Sequence, residues 1–326
     1  MTNAQPFGAA LLAQVAADVT GRQEECEAVV ATLAATRHLV LEGPPGTGKS
    51  TLLRSLAHHS GVPFVFVEGN AELTPARIVG HHDPSRVLAE GYTADAFVAG
   101  PLVRALQEGA LFYVEEINRV PEETLNTLIT VMSEGELHLP RVGRVVAADT
   151  FRLVAAMNPY DAVGTSRISS AISDRVCRVF VDYQSSEDEV EIVERRTDVD
   201  NRPLVTAVVN LVRATRKHPQ IRVGCSVRGA IDLILVARSL AELKDLSIGD
   251  PMVTKRAVMT ALSGRIRVDE ATDRSPEEIL QELWLIHLGG EIGGGGQVGL
   301  AAPPSRTRSN SAQRDSQRPP GKATAP

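Results

Sequence analysis

Apolar positions along the chain follow two regimes. Between residues 38 and 181, short continuous apolar runs alternate with segments whose apolar positions recur at helical spacing. HLVLEG (His38–Gly43), PFVFVEG (Pro63–Gly69), Ala110–Glu115, TFRLVAAM (Thr150–Met157) and Val176–Val181 read as strands, the second also by its β-branched and aromatic content. Gly48–Ser60, Pro101–Gly109 and Pro121–Glu134 read as helices, with Pro121 in the first turn of the last. Two more helices are predicted upstream, over Phe7–Val19 and Gln23–Thr36. Strands alternating with helices predict an α/β fold with a parallel sheet covered by helices on both faces. Two stretches interrupt it. Asn70–Gly100 is a polar, glycine-containing insert, and ELHLPRVGRVVA (Glu136–Ala147) reads as a hairpin.

After Ser185 the alternation stops. Glu187–Thr197, Pro203–Lys217, Ser226–Leu240, Pro251–Ser263 and a segment near Pro276–Ile286 read as helices with no strand between them. The last stretch, from Gly289, has no periodicity and is rich in Gly, Pro, Ser and Arg, which predicts disorder. The expected layout is an α/β nucleotide-binding domain over 1–184, a small all-α lid domain over 185–288 and a disordered tail over 289–326.

Composition narrows the function classes. The 326 residues carry 34 Lys and Arg against 40 Asp and Glu, a formal net charge of -6, which argues against a dedicated nucleic-acid binder. Cys26, Cys177 and Cys225 lie far apart without metal-ligand spacing and read as reduced, packed thiols of a cytoplasmic protein. No apolar run is long enough to span a bilayer, so no membrane insertion is expected. The N-terminal segment has no basic region and reads as an amphipathic helix, not a signal peptide.

The strand His38–Gly43 feeds GPPGTGKS, and a helix follows. This is the phosphate-binding pattern G-x-x-x-x-G-K-[ST] in its required strand–loop–helix context. Glycines let successive backbone amides face one anion, and the helix start adds its positive end. The expected nucleotide contacts run through Gly43, Pro44, Pro45, Gly46, Thr47, Gly48, Lys49, Ser50 and Thr51. Lys49 can reach the β- and γ-phosphates, and the Ser50 hydroxyl can ligate Mg²⁺. The segment LFYVEE then ends a strand on two carboxylates. A phosphate-loop enzyme needs one acid for Mg²⁺ or its waters and a group that orients the attacking water. Glu115 is assigned to the metal and Glu116 to the water.

GPPGTGKS, EEINR, AAMNP and SDRV, in this order, resemble the MoxR-type ATPases of the AAA+ superfamily. The resemblance runs from about Val19 to Ile286. VTGR (Val19–Arg22) resembles the family's opening motif near the adenine, which implicates Gly21. ELTPARIVG (Glu72–Gly80) resembles its insert after the second strand, and the hairpin Glu136–Ala147 its insert before the sensor strand. The family normally reads DEINR, and Glu115 here replaces the first acid with a longer one. Small misplacements of a metal cost large factors in rate, so nucleotide binding is expected to survive this departure better than fast hydrolysis does.

The resemblance implies further roles. Asn158, in AAMNP, is the expected γ-phosphate sensor. Arg175, in SDR, is the expected arginine finger acting on a neighbouring subunit's ATP, with Arg167 and Arg178 as rivals. Arg228, in CSVRGAID, is the expected nucleotide contact from the lid, with Ser226 as a plausible helix cap. The implied protein is a Mg²⁺-dependent ATPase working as a hexameric ring with a von Willebrand factor A domain partner. It remodels or matures client proteins that the sequence does not identify. Two rival readings are a nucleic-acid motor or GTP-using restriction subunit, and a slow nucleotide-gated scaffold of the gas-vesicle type. His81, His82 and Asp83 read as a polar loop in preference to a metal site. His58 and His59 suit a helix C-terminus, and Arg306, Arg308, Arg314 and Arg318 a solvated linker.

Overall fold

Why a chain with few aromatic residues should hide Leu39, Val40 and Leu41 together is explained by where their strand lies. The computed structural model describes residues 6–159 and 169–289. In chain order the elements are α1 (Ala9–Asp18), α2 (Gln23–Ala34), β1 (His38–Glu42), α3 (Lys49–Ser60), β2 (Phe64–Glu68), α4 (Pro75–Val79), β3 (Gly80–His82), α5 (Pro84–Glu90), β4 (Phe97–Ala99), α6 (Pro101–Glu108), β5 (Leu111–Glu115) and a 3-10 turn at Ile117–Arg119. There follow α7 (Glu122–Glu134), β6 (Glu136–Leu139), β7 (Gly143–Val146), β8 (Arg152–Met157), α8 (Ser170–Ser173), β9 (Val176–Phe180), α9 (Ser186–Thr197), α10 (Arg202–Lys217), β10 (Ile221–Val223), α11 (Val227–Lys244), α12 (Pro251–Leu262), β11 (Arg267–Val268) and α13 (Pro276–His287).

The main sheet has the order β2-β5-β8-β1-β9, and every pair in it is parallel. Central strands covered on both faces need apolar side chains on both, so β1 and β5 read as unbroken apolar runs. Leu39, Leu41, Leu111 and Tyr113 pack with Leu52 and Leu56 of α3 on one face. Val40, Phe112 and Val114 pack with Leu102 and Leu106 of α6 and Leu128 of α7 on the other. A separate core, including Leu204, Val208, Leu233, Val258 and Trp284, holds the helices from α9 onward. The described residues belong to one unit.

Several expectations need correcting. The insert at 70–100 is not a polar loop but α4–β3–α5–β4, with β3 and β4 paired antiparallel. Ile78 is fully buried, and Thr124 Oγ1 of α7 donates to Leu73 O at 2.6 Å, which anchors the start of the insert. His81 and His82 therefore stand on a strand. His82 meets Tyr92 and Phe97 edge-on, and Asp83 caps α5 by accepting from Ser85 N. Pro121 precedes α7 in an extended conformation instead of opening its first turn. The helical part also contains the antiparallel pair β10–β11, too short to leave a periodic signal. Cys26 and Cys225 are buried, but Cys177 is exposed because β9 is an edge strand. His59 pairs with Asp18 at 2.8 Å, joining α3 to α1. Among the described residues no helix is long and apolar enough to cross a membrane. The tail beyond Gly289 and Arg167 lie outside the described residues.

His38 supplies a test of the sheet. Its Nδ1 accepts from Leu153 N at 3.0 Å, so the fold uses the neutral ring. Burial first, then the charges of Arg152 and Arg37, push its pKa down to about 4 from 6.5. Between these values the unfolded chain binds the proton and the folded chain does not, so stability falls as pH drops from 6.5 to 4. At pH 5 this one group should remove about 2 kcal/mol relative to pH 7. Denaturant unfolding at the two pH values should show that loss, and His38→Gln should remove it.

Candidate nucleotide-binding site

All five strands of the parallel sheet end on one edge, the place where open α/β sheets bind ligands. β1 ends there in the phosphate loop. Gly46 and Gly48 take left-handed backbone, with φ 77° and 88°, a conformation that side-chain-bearing residues adopt only with strain. A Cβ on Gly43 would collide with Val181 O, and one on Gly46 with the Ser226 side chain. The glycines are thus required by close approach as well as by the turn.

Lys49 is the first residue of α3. Its Nζ donates to Gly43 O and Pro44 O, each at 2.8 Å, inside the loop. Only 9% of the residue is exposed. Burial pushes its pKa down to about 8, opposed by Glu115 and assisted by Arg228 and Arg22. An ammonium held in this way gains from any polyphosphate that replaces the missing solvent. Thr47 Oγ1 closes the loop onto Pro44 O at 3.0 Å.

Ser50 Oγ donates to Glu115 Oε1 at 2.8 Å. The structure therefore brings together, from α3 and β5, the two groups assigned to the metal. Hydroxyl and carboxylate oxygens are the hard donors that Mg²⁺ takes, and in such sites the substrate phosphates complete its coordination. The residues present fit the ion.

Glu116 follows in left-handed backbone, φ 53° and ψ 45°. Strain of this kind in a non-glycine residue concentrates at functional sites. Here it ends β5 and begins the 3-10 turn, and Glu116 forms an ion pair with Arg119 at 2.9 Å. Gly69 lets β2 lie against this turn, since a Cβ there would strike Glu116 O. Asn158 follows β8, which lies between β1 and β5. Gly43 N donates to Met157 O at 3.2 Å, so Asn158 begins beside the first residue of the phosphate loop.

A cleft of about 290 Å³ lies between the loop, the end of α1 and the helical part. Gly46, Gly48 and Thr51 form its floor, Val19 and Thr20 one wall, and Ile192, Ile231 and Arg228 the other. Arg228 thus faces the phosphate loop from α11. Ser226 stands at the N-cap of that helix, yet its hydroxyl makes no capping hydrogen bond and packs against Gly46 instead. Gly21 lies one residue outside the cleft lining. It has φ 66°, and a Cβ there would strike Asp188.

The arginines near β9 do not converge on the loop. Arg175 donates to Ser133 Oγ at 2.6 Å and Ala171 O at 2.7 Å. Ser133 lies near the C-terminal end of α7, roughly 15 Å along the helix from the end that follows Glu116. Arg178 pairs with Glu42 at 2.6 Å.

Sequence reasoning missed two positions. Arg22, 3% exposed, donates to Thr47 O at 3.0 Å and to Asp182 O, tying the phosphate loop to the exit of β9. Its presence in VTGR was the available signal. Glu189, 1% exposed, pairs with Arg213 at 3.1 Å and Arg216 at 2.7 Å, while Arg213 also donates to Gln184 O at 2.8 Å. This network fixes α9 and α10 to the segment leaving the sheet. As charges on predicted helices these three gave no signal of burial.

Comparison with known proteins agrees with this fold. Residues 38–176 match the AAA domain of the dynein-related subfamily, and residues 213–283 match an AAA lid domain. The gas vesicle ATPase GvpN1 of Halobacterium salinarum is 30% identical over 203 residues, covering 57% of this chain and 58% of that protein. The gas vesicle ATPase GvpN of Haloferax mediterranei is 29% identical over 225 residues, covering 64% and 63%. The chain thus spans less than two thirds of the length of these curated relatives. A point mutant of Thermotoga maritima RuvB shares the fold, with TM-score 0.53 and 18% identity, over 83% of this chain and 79% of that one. The expected resemblance therefore holds for the α/β part and the helical part alike: the chain carries a dynein-related AAA domain followed by an AAA lid domain.

Proposed function

We propose that the protein is a Mg²⁺-dependent ATPase of the MoxR type that acts as a ring of identical subunits on a partner protein. The observation that best supports this reading is the meeting of Ser50 and Glu115 oxygens beside the buried Lys49. The loop amides and Lys49 hold the phosphates, and Ser50 and Glu115 hold the ion. When bound, Mg²⁺ neutralises charge on the transferring phosphoryl group and orients it. Glu116 takes the proton of the attacking water, and Asn158 helps to place that water. Arg228 carries the state of the γ-phosphate to the helices of the lid.

Arg175 acts on the neighbouring subunit's nucleotide, which accords with its position at the far end of its own α7. By family resemblance the ring has six subunits, and the partner carries a von Willebrand factor A domain. The work is remodelling or maturation of a cytoplasmic client, including metal or cofactor insertion. The division into an AAA domain to residue 184 and a lid over 185–288 belongs to the same reading.

A second reading is favoured by the two gas vesicle relatives. In it, slow hydrolysis gates the assembly of a protein shell, and the longer arm of Glu115 sets the slow rate. For a nucleic-acid motor the likeness to RuvB supports the fold alone, and the charge of -6 argues against it.

Mixing two inactive variants tests the shared site. Arg175→Ala and Glu116→Gln should each lack turnover. In an equimolar mixture about one interface in four combines an intact Glu116 with an intact neighbouring arginine, so about a quarter of wild-type turnover should return. A mixture as inactive as its parts would contradict action across the subunit boundary.

A further inference from the structure

On the α3 side of the sheet three oxygens meet. Ser50 Oγ bonds Glu115 at 2.8 Å and lies 3.3 Å from the Tyr113 hydroxyl, which is itself hydrogen-bonded to the Glu115 carboxylate. Their convergence follows from strand geometry. Tyr113 and Glu115 are two residues apart on β5 and so project from the same face, while Ser50 comes from the first turn of α3.

The ring of Tyr113 is completely buried and has little room to turn. Phe66 pairs opposite it on β2 with ring centroids 5.6 Å apart, and Phe64 lies at 5.9 Å. Arg54 stacks over both phenylalanines, 5.5 Å from the Phe66 centroid and 5.9 Å from that of Phe64. A buried phenol needs a hydrogen-bond partner. The partners this one finds are the two groups assigned to the ion. An ordinary phenol is protonated at neutral pH and so able to donate. An apolar residue would fill the same space and take one of the two hydroxyl contacts away from the Glu115 carboxylate.

We propose that Tyr113 is a positioning residue for the metal ligands. Its hydroxyl donates to Glu115 beside the single proton that Ser50 gives the same carboxylate, which leaves the Ser50 lone pairs available to a cation that the carboxylate also faces. This inference rests on the ATPase reading and adds a residue that the phosphate-loop pattern does not include. It also gives a physical reason why a glutamate can serve at this position, since the phenol fixes its longer arm.

The test measures binding of a non-hydrolysable ATP analogue by calorimetry, first in EDTA and then across a Mg²⁺ titration. It compares the parent with Tyr113→Phe, Glu115→Asp and the double variant. Tyr113→Phe should bind the analogue in EDTA as the parent does, but need about tenfold more Mg²⁺ for half of the metal-dependent gain in affinity. In the Glu115→Asp background the carboxylate no longer reaches the phenol, so the same change should shift the Mg²⁺ requirement less than about twofold. A tyrosine that only fills the core would lower the melting temperature and leave the Mg²⁺ requirement unmoved. That result, or equal shifts in both backgrounds, overturns the proposal. Should the phenylalanine variant not fold, Tyr113→Met also lacks the hydroxyl and carries the same expectations. A parent that binds no analogue in EDTA or in Mg²⁺ overturns the ATPase reading, and this proposal with it.

Discussion

Lys49→Met should lower kcat/KM for ATP by about 1,000-fold, the scale of losing a preorganised charge at a phosphoryl-transfer site. The same variant should fold at least as well as the parent at pH 7 when no nucleotide is present. Lys49 is 9% exposed and its pKa is pushed down to about 8, chiefly by burial. Folding therefore holds a charged ammonium in a place that disfavours it, and methionine of similar length relieves that penalty. The bonds to Gly43 O and Pro44 O recover part of the burial energy, so the gain in melting temperature should be small. A protein stabilised by a change that removes its ATP affinity would locate the lysine's role in ligand binding. A strong loss of stability would make Lys49 a structural strut. Thermal melting and steady-state kinetics on one preparation separate the two.

Glu116→Gln should lower turnover by about 100- to 1,000-fold, the usual contribution of a general base. Nucleotide binding and nucleotide-dependent assembly should persist. The amide keeps the size of the side chain and the left-handed backbone of residue 116, and loses one negative charge. Its ion pair with Arg119 is partly exposed, with side-chain exposures of 40% and 36%, so its loss should change stability little. Turnover measured in parallel with binding decides the point. Equal rates for parent and variant would remove Glu116 from the chemistry and return it to the role of a strand terminator.

Much of the site was legible because its signals are local. A glycine-rich loop between an apolar strand and a helix is a pattern within one stretch of chain, and β1 and β5 announced themselves as continuous apolar runs. The parallel order of the sheet brought Ser50, Glu115 and Asn158 to one edge without any contact having to be guessed. The misses share a different cause. In the insert, β3 and β4 have only three residues each, and β11 only two, too few for any period to show. Their pairing partners lie outside the local window. Cys177 is exposed because of strand order, which a count of apolar neighbours does not contain. Ser226 left its capping role because the phosphate loop packs against it, a contact made across 180 residues of sequence. Glu189, Arg213 and Arg216 looked like solvated charges because their burial arises only when α9 and α10 close on the exit of the sheet. Tyr113 looked like one more core aromatic, and only its approach to Ser50 at 3.3 Å and its contact with Glu115 distinguish it.

The chain between Gly43 and Ser50 is expected to wrap a polyphosphate. Titrating folded protein with ATP and with ADP in the presence of Mg²⁺, with heat as the readout, tests it most directly. Saturable binding that disappears in Lys49→Met is the predicted result. No heat from either nucleotide, in protein shown to be folded by its circular dichroism, would contradict the account.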